Sequence, residues 1–432
     1  MKIAVVGAGI SGLSCAYRLV QGGAEVTLYE AGAYFGGHSN TVDVTLDGST
    51  FGVDTGFLVF NDRTYPNLIA LFAELGVETA PSDMSFSVKL PLSGGPDAKV
   101  LEWAGANIDT VFAQRGNLLR PRFLRMVADI LRFNKQATAL ALGAGPMPHA
   151  PLGEFLDSHG YSEQFRAWYL LPMAACIWSC PSDQMLAFPV STFIRFCHNH
   201  GLLQVSDRPQ WRTVRGGSRN YVHKLLAAIP GQRLATPVTS VTRSGSGARS
   251  VRVETAAGAE QYDHVVMACH SDQSLGLLAD VRHDERAVLE AVRYQPNRAV
   301  LHTDASCLPV KRRAWSAWNY QSNAAPTPTV CVHYLLNQLQ PLPCSTPVIV
   351  SLNPLDEPDP AKVLATFEYA HPVFDEGAIA AQQRLAAFQG LQGTWFAGAW
   401  TGYGFHEDGL KSGLAVAAAL GALMQDQSNA AA

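Results

Sequence analysis

The chain has 432 residues, of which 47% are hydrophobic and only 16% charged, and its formal net charge is -4 at pH 7. This composition excludes an intrinsically disordered chain, and the slightly acidic balance gives no reason to expect nucleic acid as a partner. The length is sufficient for two domains and a large hydrophobic core.

The sequence lacks the usual patterns of metal sites and membrane spans. The thirteen histidines and eight cysteines are scattered, and Cys176-x-x-x-Cys180 lacks the second pair that a zinc site needs. We therefore expect reduced thiols and no metal. An apolar strand begins at Lys2 with no signal peptide before it, and no run approaches the roughly 20 apolar residues of a membrane span. These features predict a cytoplasmic protein.

The N-terminal segment has the order strand, glycine-rich turn, helix, strand and acid. Residues 2–6 form an apolar run, residues 7–12 read Gly-Ala-Gly-Ile-Ser-Gly, and residues 26–29 form a second run that ends at Glu30. In such a unit the three glycines permit a tight turn, close approach of a pyrophosphate and packing of the helix on the strand. The helix N-terminus offers N–H groups to phosphate, and the acid can bind an adenosine ribose. The segment therefore predicts a dinucleotide-binding site.

Beyond this unit the chain resembles the flavin-containing amine oxidase and phytoene desaturase superfamily. Members follow the ribose acid with Gly-Gly-Arg or a similar triplet, and here Gly36-Gly37-His38 occupies that place. Residues 51–57 are similar to the family segment that passes beside the isoalloxazine ring. His38 is therefore either a group near the cofactor or a hydrogen-bonded structural histidine.

The C-terminal residues 394–413 resemble the last strand, glycine-rich loop and final helix of the same superfamily. The resemblance places the helix N-terminus at Gly409 and Leu410, where backbone N–H groups would face the pyrimidine edge of the flavin. Ala399 stands where many members carry an acid. The two resemblances together imply FAD rather than NAD. The cofactor is expected to be non-covalent, because the stretch where monoamine oxidases attach flavin holds no cysteine.

The resemblance supplies a set of candidate cofactor-binding residues. They are Gly7, Gly9, Ile10, Ser11, Gly12, Glu30, Ala31, Gly37, His38, Gly56, Phe57, Val238, Ala268, Gly398, Ala399, Gly409 and Leu410. The N-terminal unit would hold only the ADP half of FAD. The reactive ring would lie between residues 37–38, 56–57 and 398–410.

The implied fold class is α/β, with a Rossmann-like FAD-binding domain and an inserted α+β substrate domain. We expect the FAD-binding domain to comprise residues 1–80, 205–290 and 385–432. The substrate domain would comprise residues 81–204 and 291–384. Both insertions are rich in large apolar residues, as in the run 169–178, which form either a core or the wall of a pocket for a hydrophobic substrate.

Residues 115–135 carry six basic residues and one acid. Their spacing predicts a helix with Leu119, Phe123 and Met126 on an apolar face and Asp129 among arginines on the other. Three interpretations stay open: an ordinary surface helix, an interfacial helix on anionic lipid, and a basic rim for an acidic or phospholipid-like substrate.

The reaction type is indicated by a lysine that amine oxidases generally have and that this chain lacks at the corresponding place. Amine oxidases generally carry a lysine that bridges through water to flavin N5, but its place near Arg298-Ala299 holds no lysine, and Lys311 is a doubtful substitute. We expect hydride transfer from a substrate carbon to flavin N5, with His38, Tyr403 and His406 as polar candidates near the ring.

Three functions compete at this point. The leading hypothesis is an FAD-dependent desaturase, oxidase or double-bond isomerase that acts on a hydrophobic, lipid-like small molecule, with peripheral contact to membrane lipid. The second is an amine oxidase that releases hydrogen peroxide. The third is a non-catalytic, flavin-binding assembly protein.

Overall fold

The computed structural model describes residues 1–92, 99–178, 182–204, 208–244, 250–323 and 330–431, in a mixed α/β fold. The described strands are β1 Lys2–Val6, β2 Glu25–Tyr29, β3 Thr41–Leu46, β4 Ser49–Asp54, β5 Phe60–Asn61, β6 Thr79–Pro81, β7 Phe86–Pro91, β8 Val100–Ala104, β9 Trp211–Val214, β10 Gly231–Arg233, β11 Val238–Arg243, β12 Val251–Thr255, β13 Gly258–Tyr262, β14 His264–Met267, β15 Arg293–His302, β16 Trp318–Gln321, β17 Cys331–Leu335, β18 Ile349–Leu352, β19 Val363–Val373 and β20 Thr394–Phe396. The described α-helices are α1 Ile10–Gln21, α2 Pro66–Leu75, α3 Ile108–Val111, α4 Pro121–Ala141, α5 Leu152–Ser158, α6 Glu163–Phe165, α7 Leu171–Trp178, α8 Ser182–Ala187, α9 Val190–Asn199, α10 Arg219–Ala227, α11 Ser271–Leu277, α12 His283–Leu289, α13 Leu336–Leu339, α14 Glu376–Arg384 and α15 His406–Ala431.

The first sheet is parallel throughout and has the strand order β10-β2-β1-β14-β20. Its central strand β1 is apolar and buried, as expected for a strand covered on both faces. Helix α1 follows β1 and packs on α15 from the other end of the chain. The approach is close: a Cβ at Gly413 would lie 2.2 Å from the Ser11 carbonyl oxygen. The predicted α/β class with a Rossmann-like parallel sheet is confirmed.

The turn between β1 and α1 explains two of the motif glycines. Gly7 has φ +104°, which a residue with a side chain rarely adopts. A Cβ on Gly12 would lie 1.9 Å from the Gly7 carbonyl oxygen, so only glycine permits this packing of helix against turn.

The second large sheet has the order β19-β15-β18-β17-β16-β7-β8, with every pair antiparallel except β16 and β7. Helices α4 to α9 form an adjoining layer around an apolar cluster that includes Phe133, Phe165 and Phe193. Smaller sheets are the meander β11-β12-β13, the hairpin β3-β4 and the group β5-β9-β6.

The structure corrects two predictions about the basic segment 115–135. The helix α4 begins at Pro121, a residue type that suits the first turn of a helix, and residues Arg115–Leu119 before it form a separate 3-10 turn. Leu119, predicted on the buried face, is 88% exposed, whereas Phe123 and Met126 are buried. Asp129, predicted on the polar face, is also buried, and its carboxylate accepts the Ser162 backbone N–H at 3.1 Å. It forms ion pairs with Arg125 and Arg132.

The start of the final helix and the two cysteines Cys176 and Cys180 are two further features that the sequence predictions addressed. The final helix was expected to begin at Gly409 and Leu410, but α15 begins at His406, with Glu407 and Asp408 in its first turn. Acidic side chains favour that position because they interact with the positive end of the helix dipole. Cys180 lies outside the described residues, whereas Cys176 is a buried free thiol.

Candidate functional site

A cavity of about 730 Å³ lies between the two large sheets. Its first part follows the carboxyl ends of the parallel strands, because Val6, Tyr29 and Ala268 line it together with Gly398. Its second part is lined by Trp318, Tyr334 and other residues of the second sheet. Ligands of open parallel sheets bind at this carboxyl edge.

The first part of the cavity has the features of a phosphate and ribose site. The helix α1 begins at Ile10, and its first turn lines the cavity with Gly9, Ile10 and Ser11. A Cβ built on Gly9 would meet no atom within 4 Å, so the space beside this residue is open. Glu30 directly follows β2 and accepts the backbone N–H groups of Ala8 at 2.9 Å and Gly32 at 2.8 Å. The carboxylate is thereby held facing the turn.

His38 lines the cavity beside two residues of β19. Its ring centroid is 4.9 Å from that of Tyr369 and 5.2 Å from that of His371. Burial lowers the pKa of His38 well below its usual value, and the neighbouring His371 and His270 lower it further. Its Nε2 is buried and has no hydrogen-bond partner in the described residues. This unpaired nitrogen is a candidate contact for a bound group.

The residues around His38 are held by hydrogen bonds. The Tyr369 hydroxyl lies 2.8 Å from Thr55 Oγ1 and accepts Asn40 Nδ2 at 3.1 Å. His371 Nδ1 accepts Asn297 Nδ2 at 2.8 Å, so its own proton lies on Nε2. Burial lowers the pKa of His371 to about 4. The imidazole is therefore neutral near neutral pH.

His406 forms another fixed side of the cavity. Its Nε2 lies 2.8 Å from the Tyr221 hydroxyl, which also bonds Ser39 Oγ. Burial lowers the pKa of His406 to about 3, so this imidazole is neutral as well. The ring stacks on Phe57, which comes from the segment after β4.

The loop before α15 is fixed by one carboxylate. Asp408 accepts the backbone N–H groups of Tyr403 at 3.1 Å and Phe405 at 3.0 Å, and both of these residues line the cavity. Burial raises the pKa of Asp408 to about 6. The shape of this wall therefore depends on a partly buried acid.

The far part of the cavity is apolar. Its apolar lining residues include Met84, Cys176, Ile177, Trp178, Phe196, Leu202, Trp318, Tyr334, Val350 and Leu352, and the imidazole of His200, whose pKa burial lowers to about 4, stacks on Phe196. Among all the described lining residues, Glu30 is the one with a formal charge at neutral pH, and it belongs to the opposite end. This part of the cavity suits an uncharged, hydrophobic ligand.

Most predicted site residues line the cavity, but three do not. Gly12, Gly409 and Leu410 lie behind the lining, where Gly409 faces Ile10 and Ser11 of α1 and Leu410 is fully buried in the core. The predicted residues that line the cavity are Gly7, Gly9, Ile10, Ser11, Glu30, Ala31, Gly37, His38, Gly56, Phe57, Val238, Ala268, Gly398, Ala399, Tyr403 and His406. Their roles toward a cofactor or substrate stay predictions.

The cavity lining differs in two ways from what the sequence indicates. Lys311 is exposed, and neither it nor Arg298 belongs to the described lining. Tyr369 and His371 were not predicted, although alternate residues of one strand share a face and could have been grouped on that basis. Their position opposite His38 depends on the pairing of β19 with β15.

A sequence profile of the flavin containing amine oxidoreductases matches residues 10–302. AofH of Mycobacterium tuberculosis, named as a flavin-containing monoamine oxidase, is 25% identical over 287 residues, which are 62% of this chain and 56% of that protein. The zeta-carotene desaturase of Synechocystis is 38% identical over 78 residues, which are 18% of this chain and 15% of that enzyme. The chain thus matches little more than half the length of AofH and a short part of the desaturase.

The whole fold has a counterpart among solved structures. Cyclohexylamine oxidase from Brevibacterium oxydans superposes with a TM-score of 0.67 over 98% of this chain and 99% of that enzyme, at 18% identity. At this identity the similarity shows the fold and not the substrate.

The site fits the FAD that such proteins hold. The open space at Gly9 leaves room for a pyrophosphate beside the N-terminus of α1, and Glu30, the acid predicted to bind the ribose, is held against the same turn. The unpaired Nε2 of His38 lies farther along the same cavity.

Proposed function

Because the chain belongs to the flavin-containing amine oxidoreductase family, and is accordingly an FAD-dependent oxidoreductase, we propose that it desaturates, oxidises or isomerises a hydrophobic, lipid-like small molecule. FAD, when bound, supplies the two-electron redox chemistry. The chain itself contributes the binding of substrate, its orientation and the exclusion of water.

The absence of charge from the far part of the described cavity lining carries this proposal. A carboxylate or ammonium group buried there would lack an oppositely charged partner, and a buried unpaired charge is strongly unfavourable. An acyl or isoprenoid chain needs no such partner. The apolar side chains of Ile177, Val350 and Leu352 instead offer a surface that gains free energy when it covers hydrocarbon.

Three of the five histidines that line the described cavity, His38, His371 and His406, support chemistry that needs few charged groups. Burial keeps the pKa values of His371 and His406 at about 4 and about 3, and that of His38 also well below its usual value. All three are neutral imidazoles near neutral pH. They can orient a bound group through hydrogen bonds, but they do not supply a cation.

Collection of a water-insoluble substrate requires contact with a lipid phase, so the proposal includes peripheral membrane contact. That contact would be made by the outer surface, since in the described part of the chain every helix is too short or too polar for a bilayer crossing. A cytoplasmic location stays a prediction.

An amine oxidase is the second candidate, and the aromatic residues at the last loop favour it. The ring centroids of Phe405 and Phe196 are 4.9 Å apart and the ring planes are 21° from parallel. The ring of Tyr403 lies beside that of Phe196. Aromatic faces can hold an amine without a carboxylate. The 25% identity with AofH is consistent with this reading.

Anaerobic reduction of the bound flavin tests these functions. The purified holoprotein would be mixed with fatty acyl, isoprenoid and amine compounds while the visible absorbance of FAD is followed. We expect bleaching by acyl or isoprenoid compounds but not by amines. A simple isomerase would show no net bleaching, so the products would also be analysed by mass spectrometry.

The other outcomes are equally clear. Bleaching by amines alone, with hydrogen peroxide release in air, would assign an amine oxidase. Bound FAD that no compound reduces, without any altered product, would leave the non-catalytic flavin protein.

A further inference from the structure

We propose that a basic surface at the edge of the second sheet, formed by residues 107–109, 115–122 and 310–313, docks the protein on an anionic lipid bilayer. We call it the docking surface. This inference rests on the proposed function, because it names where a lipid-like substrate would be met.

The docking surface carries the three most exposed large hydrophobic side chains of the described residues. Leu119 is 88% exposed, Val310 is 81% exposed and Ile108 is 80% exposed. Each comes from a different segment of the chain: the 3-10 turn before α4, the loop before the 3-10 helix Arg312–Ala314, and the start of α3. Leu118 beside them is half exposed. Single apolar residues are common on surfaces, but three such residues on adjoining segments are not.

The three segments are joined by contacts beneath the surface. Ala104, Ala113 and Ala314 form a small buried cluster that brings β8, the end of α3 and the second insertion together. Glu102 is buried and accepts the backbone N–H groups of Val310 at 2.7 Å and Lys311 at 3.0 Å. These buried contacts therefore hold the segments that carry the exposed residues in fixed positions.

The docking surface is strongly positive. It has six basic residues, Arg115, Arg120, Arg122, Lys311, Arg312 and Arg313, and one acid, Asp109. Asp109 pairs with Arg115 and lies 3.6 Å from Arg313. Six positive charges and one negative charge leave +5 on this surface, whereas the whole chain has a net charge of -4. The charge is therefore concentrated here.

Protruding apolar side chains within a ring of basic groups suit a lipid interface. The apolar residues enter the boundary between headgroups and acyl chains, and the basic residues attract anionic headgroups. The site is also close to the sheet that lines the cavity. Strand β8 is the edge strand beside β7, which pairs with β16, and Trp318 of β16 is a lining residue.

Vesicle flotation tests the proposal with the full-length holoprotein. The vesicles are phosphatidylcholine alone, or phosphatidylcholine mixed with phosphatidylglycerol. We expect binding to the mixed vesicles that weakens with added salt, and little binding to phosphatidylcholine. The triple variant Ile108→Ser, Leu119→Ser, Val310→Ser should bind roughly tenfold less or weaker still.

Leu142→Ser is the matched control. Leu142 is 72% exposed and lies just beyond the far end of α4, about 30 Å along the helix from its first residue, Pro121. This variant should bind vesicles like the wild type. All these side chains are exposed, so flavin content and thermal stability should stay unchanged and report correct folding.

Two results would overturn the inference: no binding of the wild type to either vesicle, or equal binding of the triple variant. A wild-type dimer in light scattering that the triple variant dissociates would also overturn it, because a second copy would then cover the surface. Failure of the proposed function looks different. Vesicle binding without any turnover of lipid-like compounds would retain the docking surface, and turnover in detergent without vesicle binding would retain the function alone.

Discussion

Phe57 and His406 lie face to face, with ring centroids 3.8 Å apart and ring planes 13° from parallel. The first residue follows the hairpin β3-β4 and the second begins the last helix, so the stack joins distant parts of the chain at the cavity. Tyr221 fixes the same imidazole through a 2.8 Å hydrogen bond to Nε2. The position of His406 is therefore determined on two sides.

Tyr221→Phe tests the importance of this fixed position. The variant loses the hydroxyl that bonds both Ser39 and His406, and we expect the free energy of unfolding to fall by about 1 kcal/mol. FAD should still bind, but its anaerobic reduction by substrate should slow several-fold because His406 can turn. Stopped-flow absorbance measures the rate. Tyr17→Phe, which removes a hydroxyl bonded to Glu74 at the surface, should leave that rate unchanged.

Gly9→Ala should separate cofactor binding from folding. Gly9 has φ -70°, which alanine adopts easily, and its Cβ would meet no protein atom within 4 Å. We therefore expect normal folding but a loss of FAD affinity of roughly tenfold or more, because the methyl group fills the space beside the phosphate site. Fluorescence titration of the apoprotein with FAD measures the Kd.

Two further glycines serve as comparisons for that experiment. Gly12→Ala should fail to fold, because its Cβ would lie 1.9 Å from the Gly7 carbonyl oxygen. Gly421→Ala lies in α15 with open space around it and should bind FAD normally. Wild-type FAD affinity in Gly9→Ala would contradict the assignment of this turn.

Glu30→Gln should weaken FAD binding without a large loss of stability. The amide can replace only one of the two acceptor oxygens that bond Ala8 and Gly32, and it cannot offer a charged acceptor to a ribose. A charged hydrogen bond is worth about 1.5–3 kcal/mol, which corresponds to roughly a 10- to 100-fold change in Kd. Isothermal titration calorimetry gives the value. Glu25→Gln, at the exposed start of the same strand, should leave the Kd unchanged.

Asp408 should make stability depend on pH. Burial raises its pKa in the folded protein to about 6 from an ordinary 3.8, so the folded state holds this proton more tightly than the unfolded state. Below about pH 4 the Asp408 carboxyl is protonated in both states and does not lower the free energy of unfolding. As the pH rises through about 6, this group lowers the free energy of unfolding. The loss is on the order of 3 kcal/mol, since one pKa unit is worth about 1.4 kcal/mol.

Asp408→Asn isolates this effect because the amide does not titrate. The free energy of unfolding of the wild type minus that of the variant should decrease between about pH 4 and pH 7 and then become constant. Chemical denaturation at several pH values measures both curves. Parallel curves would show that Asp408 has an ordinary pKa in the folded protein.

The sequence predicted the parts of the structure that depend on local chemistry. The turn at Gly7 and Gly12 can be predicted from residues close together in the sequence, because a positive φ and a close helix contact both require glycine. Glu30 follows from its place at the end of a strand. Such features need no knowledge of distant contacts.

Features that depend on distant contacts were not predictable in the same way. Tyr369 and His371 reach His38 only because β19 pairs with β15 in one register, and a shift of one residue would turn both side chains away. Asp129 is buried and accepts the Ser162 backbone N–H, a contact with a distant segment that a helical pattern within α4 does not reveal. The start of α15 was placed three residues late, although Glu407 and Asp408 are the acids expected in a first turn.

The order of strands in the parallel sheet has a consequence for biosynthesis. The central strand β1 leaves the ribosome before the other strands of its sheet, because its neighbour β14 comes from residues 264–267 and the edge strand β20 from residues 394–396. The partner of α1, helix α15, is made later still. A nascent chain therefore holds the glycine-rich turn for most of its synthesis without the elements that support it. We therefore expect stable FAD binding only after α15 has been made and has packed on α1.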